Sequence, residues 1–297
     1  MADTAQPTNW GRWGETDERG TANYVTPELL TAAAGLVRRG KVYSLSLPIQ
    51  SQAVPVAPRR GPPQHFMTLD GGDYAAGLTR KSGFQASDDY LALYTHGSTH
   101  IDALAHVWYD GTLYNGFSAN TLRSTGAGKC GIDKLGHLVG RGVLLDFCRH
   151  RGETPLAGGT VLGPEDFAAC AKAQGVELRQ GDIVLMRTGW LASFDERDPA
   201  IFFRSEPGIG LAAGEWIGKQ GFAAIGADNY AVEAIPTENG ISAPVHRRLL
   251  RDYGCSLMEL MVLDRLAAEE VWEFMFVAAP LMITGGVGSP INPLAIC

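Results

Sequence analysis

The chain has 297 residues, of which 45% are hydrophobic and 19% are charged, and it contains 37 glycines. This length allows either two domains or one large α/β domain, and the apolar content supports a sizeable core. The net charge of -7, without a long basic run, argues against binding to nucleic acid or to an anionic membrane surface.

The cysteines and the N-terminus indicate a reducing compartment. The five cysteines are scattered and form no C-x-x-C pair, which argues against a disulfide framework or a cysteine zinc site. The first twenty residues have neither the apolar core nor the leading basic residues of a secretory signal. No apolar run reaches the roughly 18 residues that a membrane helix needs. We therefore expect a cytoplasmic protein.

The first predicted elements occupy the N-terminal third. A helix is expected over residues 27–37, with Pro27 in its first turn, and alternating apolar residues predict a strand over residues 41–49. Residues 50–87 are rich in proline and glycine and are predicted to form one long loop. Loops of this length inside compact domains are usually functional. A strand over residues 88–96 then leads into a histidine-rich segment.

Strands and helices alternate from about residue 140 onward. Strands are predicted at 142–147, 181–189, 222–228, 255–263 and 273–283, and helices at 163–175, 212–221 and 244–254. This alternation favours an α/β fold over an all-β fold. In the last helix, the pair Arg247–Arg248 is expected to face solvent.

The segment YTHGSTHIDALAH, residues 94–106, contains three of the seven histidines and one aspartate. On a helix, Asp102 would point away from His96 and His100, because each residue turns by about 100°. On one strand, the residues from His96 to His106 would spread over roughly 33 Å. We therefore predict a strand that ends at His96, a tight turn, and a helix that begins near Asp102. Imidazoles with a carboxylate are typical ligands of Zn²⁺, Mn²⁺ and Fe²⁺.

Two distant residues extend this candidate site. Glu259 is the only charged residue in the run CSLMELMVL, and a buried carboxylate costs several kcal/mol unless it is paired or coordinated. It is therefore either a metal ligand or one partner of a core salt bridge with an arginine. His246 follows Pro244 at a predicted helix start and is either a ligand or an exposed histidine.

These motifs resemble those of one known family. HGSTHIDALAH is similar to the H-x-G-T-H-x-D-x-P-x-H signature of the cyclase family, which includes bacterial kynurenine formamidases and isatin hydrolase. The segments WGRWGETDERGTANYVTPE, HRRLLRDYGCSLMELMVLDRL and GGVGSP extend the resemblance over nearly the whole chain. The resemblance implies a swivelling β/β/α single domain over residues 1–297, with an N-terminal extension of about 40 residues.

The resemblance also implies the site. His96, His100 and Asp102 would bind a first divalent metal, and Asp102, His246 and Glu259 would complete a second position in members that hold two ions. His106 would be the catalytic acid/base. We expect zinc or manganese, as one or two ions. Ser98 and Leu104 replace a glycine and a proline of the family signature, and both lie between the ligands.

The predicted function is hydrolysis of an amide, lactam or ester bond in a small, aromatic substrate. A metal ion would activate water, and His106 would move its proton. Candidate substrate-binding residues are Phe66, Trp108, Asp228 and Asn229; the last two follow a strand, where α/β proteins often place site residues. Ordinary core packing is the alternative for the aromatic residues. We expect a homo-oligomer, either a dimer or a tetramer.

Three other functions remain open on the sequence. The same scaffold could catalyse cyclisation or dehydration. Two histidines and a carboxylate also form the triad of non-haem Fe(II) oxygenases, although those enzymes commonly use an all-β jelly roll. A non-catalytic binding protein is disfavoured because all six candidate site residues are present.

Overall fold

A computed structural model of the protein describes residues 7–297; Met1–Gln6, part of the predicted N-terminal extension, lie outside the described residues. The first strands are β1 (Val42–Ser44), β2 (Gln64–Leu69), β3 (Asp88–Ala92), β4 (His100–Asp102), β5 (Leu122–Arg123), β6 (Gly126–Ala127), β7 (Leu138–Asp146) and β8 (Val161–Leu162). The remaining strands are β9 (Ile183–Arg187), β10 (Gly208–Ile209), β11 (Ala224–Ala227), β12 (Ser256–Glu259), β13 (Glu273–Ala278), β14 (Gly288–Pro290) and β15 (Leu294–Ile296).

The helices are α1 (Pro27–Ala34), α2 (Gly71–Ala75), α3 (Ile132–Leu135), α4 (Phe147–Arg151), α5 (Pro164–Gln174), α6 (Pro199–Arg204), α7 (Leu211–Gln220), α8 (Pro244–His246) and α9 (Asp264–Ala268). A π-helix over Arg247–Tyr253 continues α8 directly. Short 3₁₀ turns lie at Gly20–Tyr24, Lys81–Gly83, Tyr114–Gly116, Ala119–Thr121, Trp190–Ser193 and Glu238–Gly240. No helix in the described part of the chain is long and apolar enough to cross a membrane.

Nine strands form one sheet in the order β1-β15-β13-β7-β9-β11-β12-β4-β14. The four central strands, β7, β9, β11 and β12, are parallel to one another. The flanking pairs, including β12 with β4 and β4 with β14, are antiparallel. Strands linked through helices therefore form the centre of the sheet, which confirms the predicted α/β class.

The central strands are buried on both faces. Along β7, Val143 and Leu145 belong to the apolar cluster that also contains Phe167 of α5 and Ile217 of α7. Leu144 lies between them in sequence and belongs to a second cluster on the opposite face. Alternate residues of a strand point to opposite faces, so the near-continuous apolar run of this strand serves two cores.

Helix α5 matches its prediction closely. Pro164 stands in its first turn, and the Asp166 side chain accepts a hydrogen bond from the backbone NH of Gly163 at 2.8 Å. Gly175 ends the helix in the left-handed conformation, with φ of +69°. Local capping signals are therefore sufficient to fix this element.

The prediction of one long loop over residues 50–87 is wrong. The segment contains β2 and α2, and β2 pairs with β3 in an antiparallel hairpin apart from the main sheet. Nearly every residue of this hairpin is exposed on both faces. Because neither face is buried, the sequence lacks the apolar alternation by which a half-buried strand is recognised.

The predicted helix near Asp102 is also wrong. Residues His100–Asp102 form strand β4, which lies between β12 and β14. A tight turn before it is present, with the Gly97 NH donating to the Tyr94 carbonyl at 2.9 Å. This turn includes His96, and the preceding strand, β3, ends at Ala92, so the prediction that the strand runs to His96 is wrong. The extended conformation is imposed by neighbouring strands from the C-terminal part of the chain, which local sequence does not reveal.

The expectation that Arg247 and Arg248 both face solvent is wrong for Arg248, which is only 6% exposed. Its guanidinium donates to Glu215 at 3.0 Å through Nε and also contacts Asp252. Arg247 is half-buried, with its guanidinium 4.5 Å from the centre of the Tyr109 ring. The π-helical geometry of this segment departs from the periodicity of an α-helix, on which the expectation depended.

Candidate metal centre

Strand pairing brings the first three candidate ligands together. His100 and Asp102 are two residues apart on β4 and therefore point to the same face of the sheet. Glu259, the last residue of β12, lies directly opposite His100 in the antiparallel ladder. Directly opposed residues share a face, so Glu259 joins the other two side chains although 157 positions separate it from Asp102.

His96 enters the site from the turn before β4. Its Nε2 atom lies 3.3 Å from Oδ1 of Asp102. The backbone of Gly288, which pairs with Asp102 across β14, passes close to this imidazole. A Cβ atom at position 288 would lie 2.4 Å from His96 Nε2. Glycine at this position therefore provides the space that the His96 ring occupies.

His246 reaches the site from α8 and is oriented by a carboxylate. Its Nδ1 atom lies 2.5 Å from Oε1 of Glu233, whose other oxygen accepts a hydrogen bond from the Val245 NH at 3.0 Å. Its Nε2 atom lies 3.1 Å from Oε1 of Glu259 and 3.6 Å from Oδ2 of Asp102. Glu233 thus directs the second nitrogen of this ring toward the other candidate ligands.

The cluster is buried, yet several of its polar atoms lack hydrogen-bond partners. His100 Nε2 lies 3.2 Å from Glu259 Oε2 and 3.5 Å from Asp102 Oδ1, and both distances describe ion pairs. Even so, Nε2 of His96, Nε2 of His100 and both carboxylate oxygens of Asp102 make no hydrogen bond to the described residues. Buried polar atoms are normally satisfied, so these four atoms point to an external ligand.

Burial and mutual charge set the protonation of this cluster. Burial lowers the pKa of His96 to about 3, so this imidazole is neutral. Burial also acts to lower the pKa of His100, but Glu259 and Asp102 raise it to about 9. Burial acts to raise the pKa of Glu259, whereas His100 and His246 bring it to about 2. Without a cation, protons on imidazoles therefore balance the buried carboxylates; imidazole ligands must lose those protons to bind metal.

The donor set fits one or two divalent ions. His96, Asp102 and His106 form one group whose ligand atoms lie within 4.8 Å of one another, and Asp102, His246 and Glu259 form another. His100 belongs to neither group, although its Nε2 atom is close to both carboxylates. Imidazole nitrogen and carboxylate oxygen together suit zinc, manganese and iron. Asp102 is common to both groups.

His106 lies beside this cluster and also lines a cavity. Its ring stacks on that of His96, with centroids 4.1 Å apart and planes inclined by 28°. Burial lowers the pKa of His106, which favours the neutral form that can accept a proton. The cavity has a volume of about 220 Å³, and its wall includes His246 and Glu259. A small molecule in it would meet both His106 and the candidate ligands.

Three further residues of this cavity wall, Arg60, Tyr230 and Glu233, were not among the predicted site residues. Glu233 stands between Val232 and Ala234, so it shows the same signal as Glu259, an isolated carboxylate in an apolar run. Arg60 lies in the proline-rich segment whose length suggested a function. Both could therefore have been identified as candidates from the sequence.

The predicted substrate-binding residues lie elsewhere. Phe66 is on the exposed hairpin and lines a different cavity, and Trp108 is 44% exposed outside the His106 cavity. Asp228 is buried and accepts hydrogen bonds from both NH groups of Thr188 and Gly189 and from the Thr188 hydroxyl. Asn229 donates to the Pro207 carbonyl and accepts from the Val232 NH. Substrate contacts by these four residues stay predictions.

Comparisons with known proteins agree with this architecture. The family model described as "Putative cyclase" matches residues 43–234. Isatin hydrolase of Roseibium aggregatum is 28% identical over 222 residues, which cover 70% of this chain and 74% of that protein. A crystal structure of a novel cyclase is 39% identical, covers 100% of both chains and superposes with a TM-score of 0.92.

A more distant structure shares the fold. It is an isatin hydrolase bound to the product analogue thioisatinate, with 22% identity, a TM-score of 0.66, and coverage of 92% of this chain and 99% of that one. The full-length superposition on the novel cyclase confirms the predicted fold class. The family model matches more than half of the residues and includes the histidine motif at 96–106. The chain belongs to the cyclase family.

Proposed function

We propose that the protein is a metal-dependent hydrolase that cleaves an amide, lactam or ester bond of a small aromatic substrate. The observation that carries this proposal is the set of unpartnered ligand atoms on His96, His100 and Asp102, buried beside the His106 cavity. The isatin hydrolase of Roseibium aggregatum supports hydrolysis as the reaction class.

Five side chains would hold the metal: His96, His100, Asp102, His246 and Glu259. A divalent ion there would polarise the substrate carbonyl and lower the pKa of water from 15.7 toward about 7. Zinc and manganese are the proposed metals, since both accept imidazole and carboxylate ligands. Glu233 would orient His246 by accepting the proton of Nδ1, which leaves Nε2 to face the ion.

His106 would be the general acid and base. Its imidazole is neutral and lies against His96, at the boundary between the ligand cluster and the cavity. It would take a proton from the attacking water as the new carbon–oxygen bond forms. It would then return this proton to the leaving nitrogen or oxygen as the original bond breaks, which restores the neutral ring.

The test begins with metal analysis of the purified protein, followed by removal of metal and restoration with Zn²⁺ or Mn²⁺. We expect the restored protein to hydrolyse members of a panel of aryl amides, lactams and esters, and the stripped protein to be inactive. The same panel should be assayed for ring closure and for O₂ consumption. Ring closure without hydrolysis, or turnover that persists after metal removal, would contradict the proposal.

A substitution at His106 tests the proposed acid/base role separately from metal binding. We expect His106→Ala to retain the wild-type metal content while kcat falls by about 10²–10⁴-fold, the usual contribution of an acid/base group. Metal content is measured by elemental analysis and kcat at saturating substrate. Full turnover by this variant would remove His106 from the mechanism, whereas loss of metal would make it a ligand.

We also propose that the protein self-associates through the hairpin formed by β2 and β3. Phe66 on β2 lies directly opposite Tyr90 on β3, so both side chains share one face of the hairpin, and they are 55% and 58% exposed. An exposed group of large apolar side chains is typical of an interaction surface. Light scattering of the protein and of a Phe66→Ser/Tyr90→Ser variant tests this, and a monomeric wild-type protein would contradict it.

A further inference from the structure

Arg60 stands out among the residues that line the His106 cavity because its positive charge has no acidic partner. No carboxylate among residues 7–297 forms an ion pair with its guanidinium. The two acidic residues of the same wall, Glu233 and Glu259, are both engaged with His246, at 2.5 Å and 3.1 Å. The guanidinium is therefore a cation in the wall of a small cavity, and neither of the two carboxylates in that wall pairs with it.

The guanidinium is held in place by two contacts. Its Nη1 atom donates to the backbone carbonyl of His96 at 2.6 Å, and its central carbon lies 5.7 Å from the centre of the Tyr230 ring. A guanidinium has five NH donors, and the bond to His96 uses one of them. An arginine that is already oriented loses less entropy when it binds a carboxylate through two parallel hydrogen bonds.

Its position relative to the candidate metal centre is fixed by one residue. The backbone of His96 binds Arg60, and the imidazole of the same residue faces Asp102. A ligand in this cavity can therefore reach the guanidinium with one group and the ligand cluster with another. The cavity volume of about 220 Å³ suits a molecule with a single aromatic ring.

We propose that Arg60, with the Tyr230 ring beside it, binds a carboxylate carried by the substrate. This inference rests on the proposed hydrolase function and specifies its substrate class: an aromatic amide that carries a carboxylate on the same ring. Arg60 is then a specificity residue, which lowers KM for acidic substrates and has little effect on neutral ones.

The experiment compares two aryl formamides that differ in one carboxylate, formanilide and 2-formamidobenzoate, with the zinc-loaded protein. We expect Arg60→Gln to lower kcat/KM for 2-formamidobenzoate by about 10–100-fold, the range for a hydrogen-bonded ion pair. For formanilide the change should stay within about threefold, because no charge is lost from its binding. Arg59→Gln is the matched control, since it removes the same charge from an exposed neighbour.

A structural role for Arg60 gives a different result. Glutamine can still donate to the His96 carbonyl, so the metal content of Arg60→Gln should equal that of the wild type. An equal loss of activity on both formamides, or a loss of metal, would overturn the proposal. Arg60→Lys should recover part of the preference for the acidic substrate, because lysine retains the charge without the planar pair of donors.

The two proposals fail in distinguishable ways. If the wild-type protein hydrolyses neither formamide, hydrolysis of aryl formamides is rejected, and the binding of 2-aminobenzoate is measured instead by its fluorescence. A dissociation constant about 10–100-fold weaker for Arg60→Gln than for Arg59→Gln would support the carboxylate site without the reaction. Equal affinity of the two variants, or no binding to the wild type, would overturn it.

Discussion

His246 and Arg248 are two residues apart in the chain and belong to two different clusters of buried charged side chains. The two clusters differ in whether their polar atoms find hydrogen-bond partners within the protein. On a helix, residues two apart point away from each other, so His246 and Arg248 enter separate clusters. Arg248 contacts Asp252 and Glu215, and the Tyr109 hydroxyl, which donates its one proton to this carboxylate, lies 2.8 Å from both oxygens of Asp252. Charges in this second cluster thus find their partners within the protein.

In the cluster around His246, by contrast, several buried polar atoms have no hydrogen-bond partner among the described residues. Both oxygens of Asp102 and the Nε2 atoms of His96 and His100 lack hydrogen bonds from the described residues. A completed network stabilises a fold, whereas an incomplete one costs free energy until a ligand arrives. Burial of charge alone therefore does not distinguish the candidate metal centre from the Arg248 cluster; the grouped unpartnered atoms of His96, His100 and Asp102 do.

The largest effect on the His246 cluster is expected from replacing Asp102, which belongs to both candidate metal groups. Asp102→Asn removes the charge shared by those groups. We expect the metal content to become negligible and kcat to fall by about 10³-fold or more, because the proposed activation of water depends on the ion. Elemental analysis and steady-state kinetics measure both quantities.

Asp182→Asn is the control for that substitution. Asp182 is also buried, but it is paired with Arg141 at 2.8 Å and belongs to neither candidate ligand group. This variant should lose stability and keep its metal. Equal metal loss in both variants would mean that the ligand cluster responds to general destabilisation rather than to its own donors.

The cluster around Arg248 should show the opposite behaviour. Arg248→Met removes one arginine from a cluster in which Asp252 keeps Arg251, at 2.6 Å, and Glu215 keeps Lys219, at 3.1 Å. We expect a loss of about 1–3 kcal/mol of unfolding free energy, the usual cost of leaving buried polar atoms without a partner. Urea unfolding measures this loss, and the metal content of the folded fraction should stay at the wild-type value. Arg247→Met, which removes a cation–ring contact with Tyr109, should cost about 1 kcal/mol. Metal loss in folded Arg248→Met would show that the clusters are coupled.

A smaller effect is expected from the carboxylate that orients His246. Glu233→Gln keeps a polar group near Nδ1 but removes the negative charge that fixes the tautomer of the ring. We expect metal affinity to fall by about 10–100-fold, the usual effect of removing a group that orients a metal ligand. Competition with a chromophoric chelator measures this affinity. Glu238→Gln, on the exposed part of the same segment, should bind metal as the wild type does. Unchanged affinity in Glu233→Gln would leave that residue with a structural role alone.

The smallest change adds one methyl group. Gly288→Ala would place a Cβ atom 2.4 Å from His96 Nε2, so the imidazole must move. We expect about a tenfold loss of metal affinity, because overpacking costs about 1–3 kcal/mol. Gly71→Ala is the control, since no atom lies within 4 Å of a Cβ at that position. Equal affinity in the two variants would show that the His96 ring is not fixed by this contact.

Much of the candidate site could be predicted from sequence, because its signals are chemical. Three histidines and an aspartate within eleven residues, and one carboxylate in an apolar run, are unusual in any fold. The structure brings His96, His100, Asp102, His246 and Glu259 together in one buried cluster. Their roles as ligands stay predictions until metal is measured.

The local conformation of the motif could not be predicted in the same way. The stretch from His96 to His106 is too long to converge as one strand, but β4 uses three of its residues, with turns on either side. Its partners, β12 and β14, come from residues 256–259 and 288–290. Pairing between segments so far apart leaves no periodic signal in the motif itself.

Asp228 and Asn229 show the limit of reasoning from strand ends. Both follow β11, where α/β proteins often place functional residues, and both are buried. Their side chains nevertheless bind backbone groups of neighbouring loops. Polar residues at a strand end can hold neighbouring loops in place as well as bind a substrate. Only their hydrogen-bond partners in the structure distinguish the two roles.

The position of β4 between two late strands has a consequence for biogenesis. A chain emerging from the ribosome presents the histidine motif long before residues 256–290 are synthesised. Until β12 and β14 dock, the imidazoles have neither their opposing carboxylate nor the glycine backbone that shapes the pocket. The complete set of candidate ligands can therefore assemble only after the C-terminal strands have been synthesised and have paired with β4.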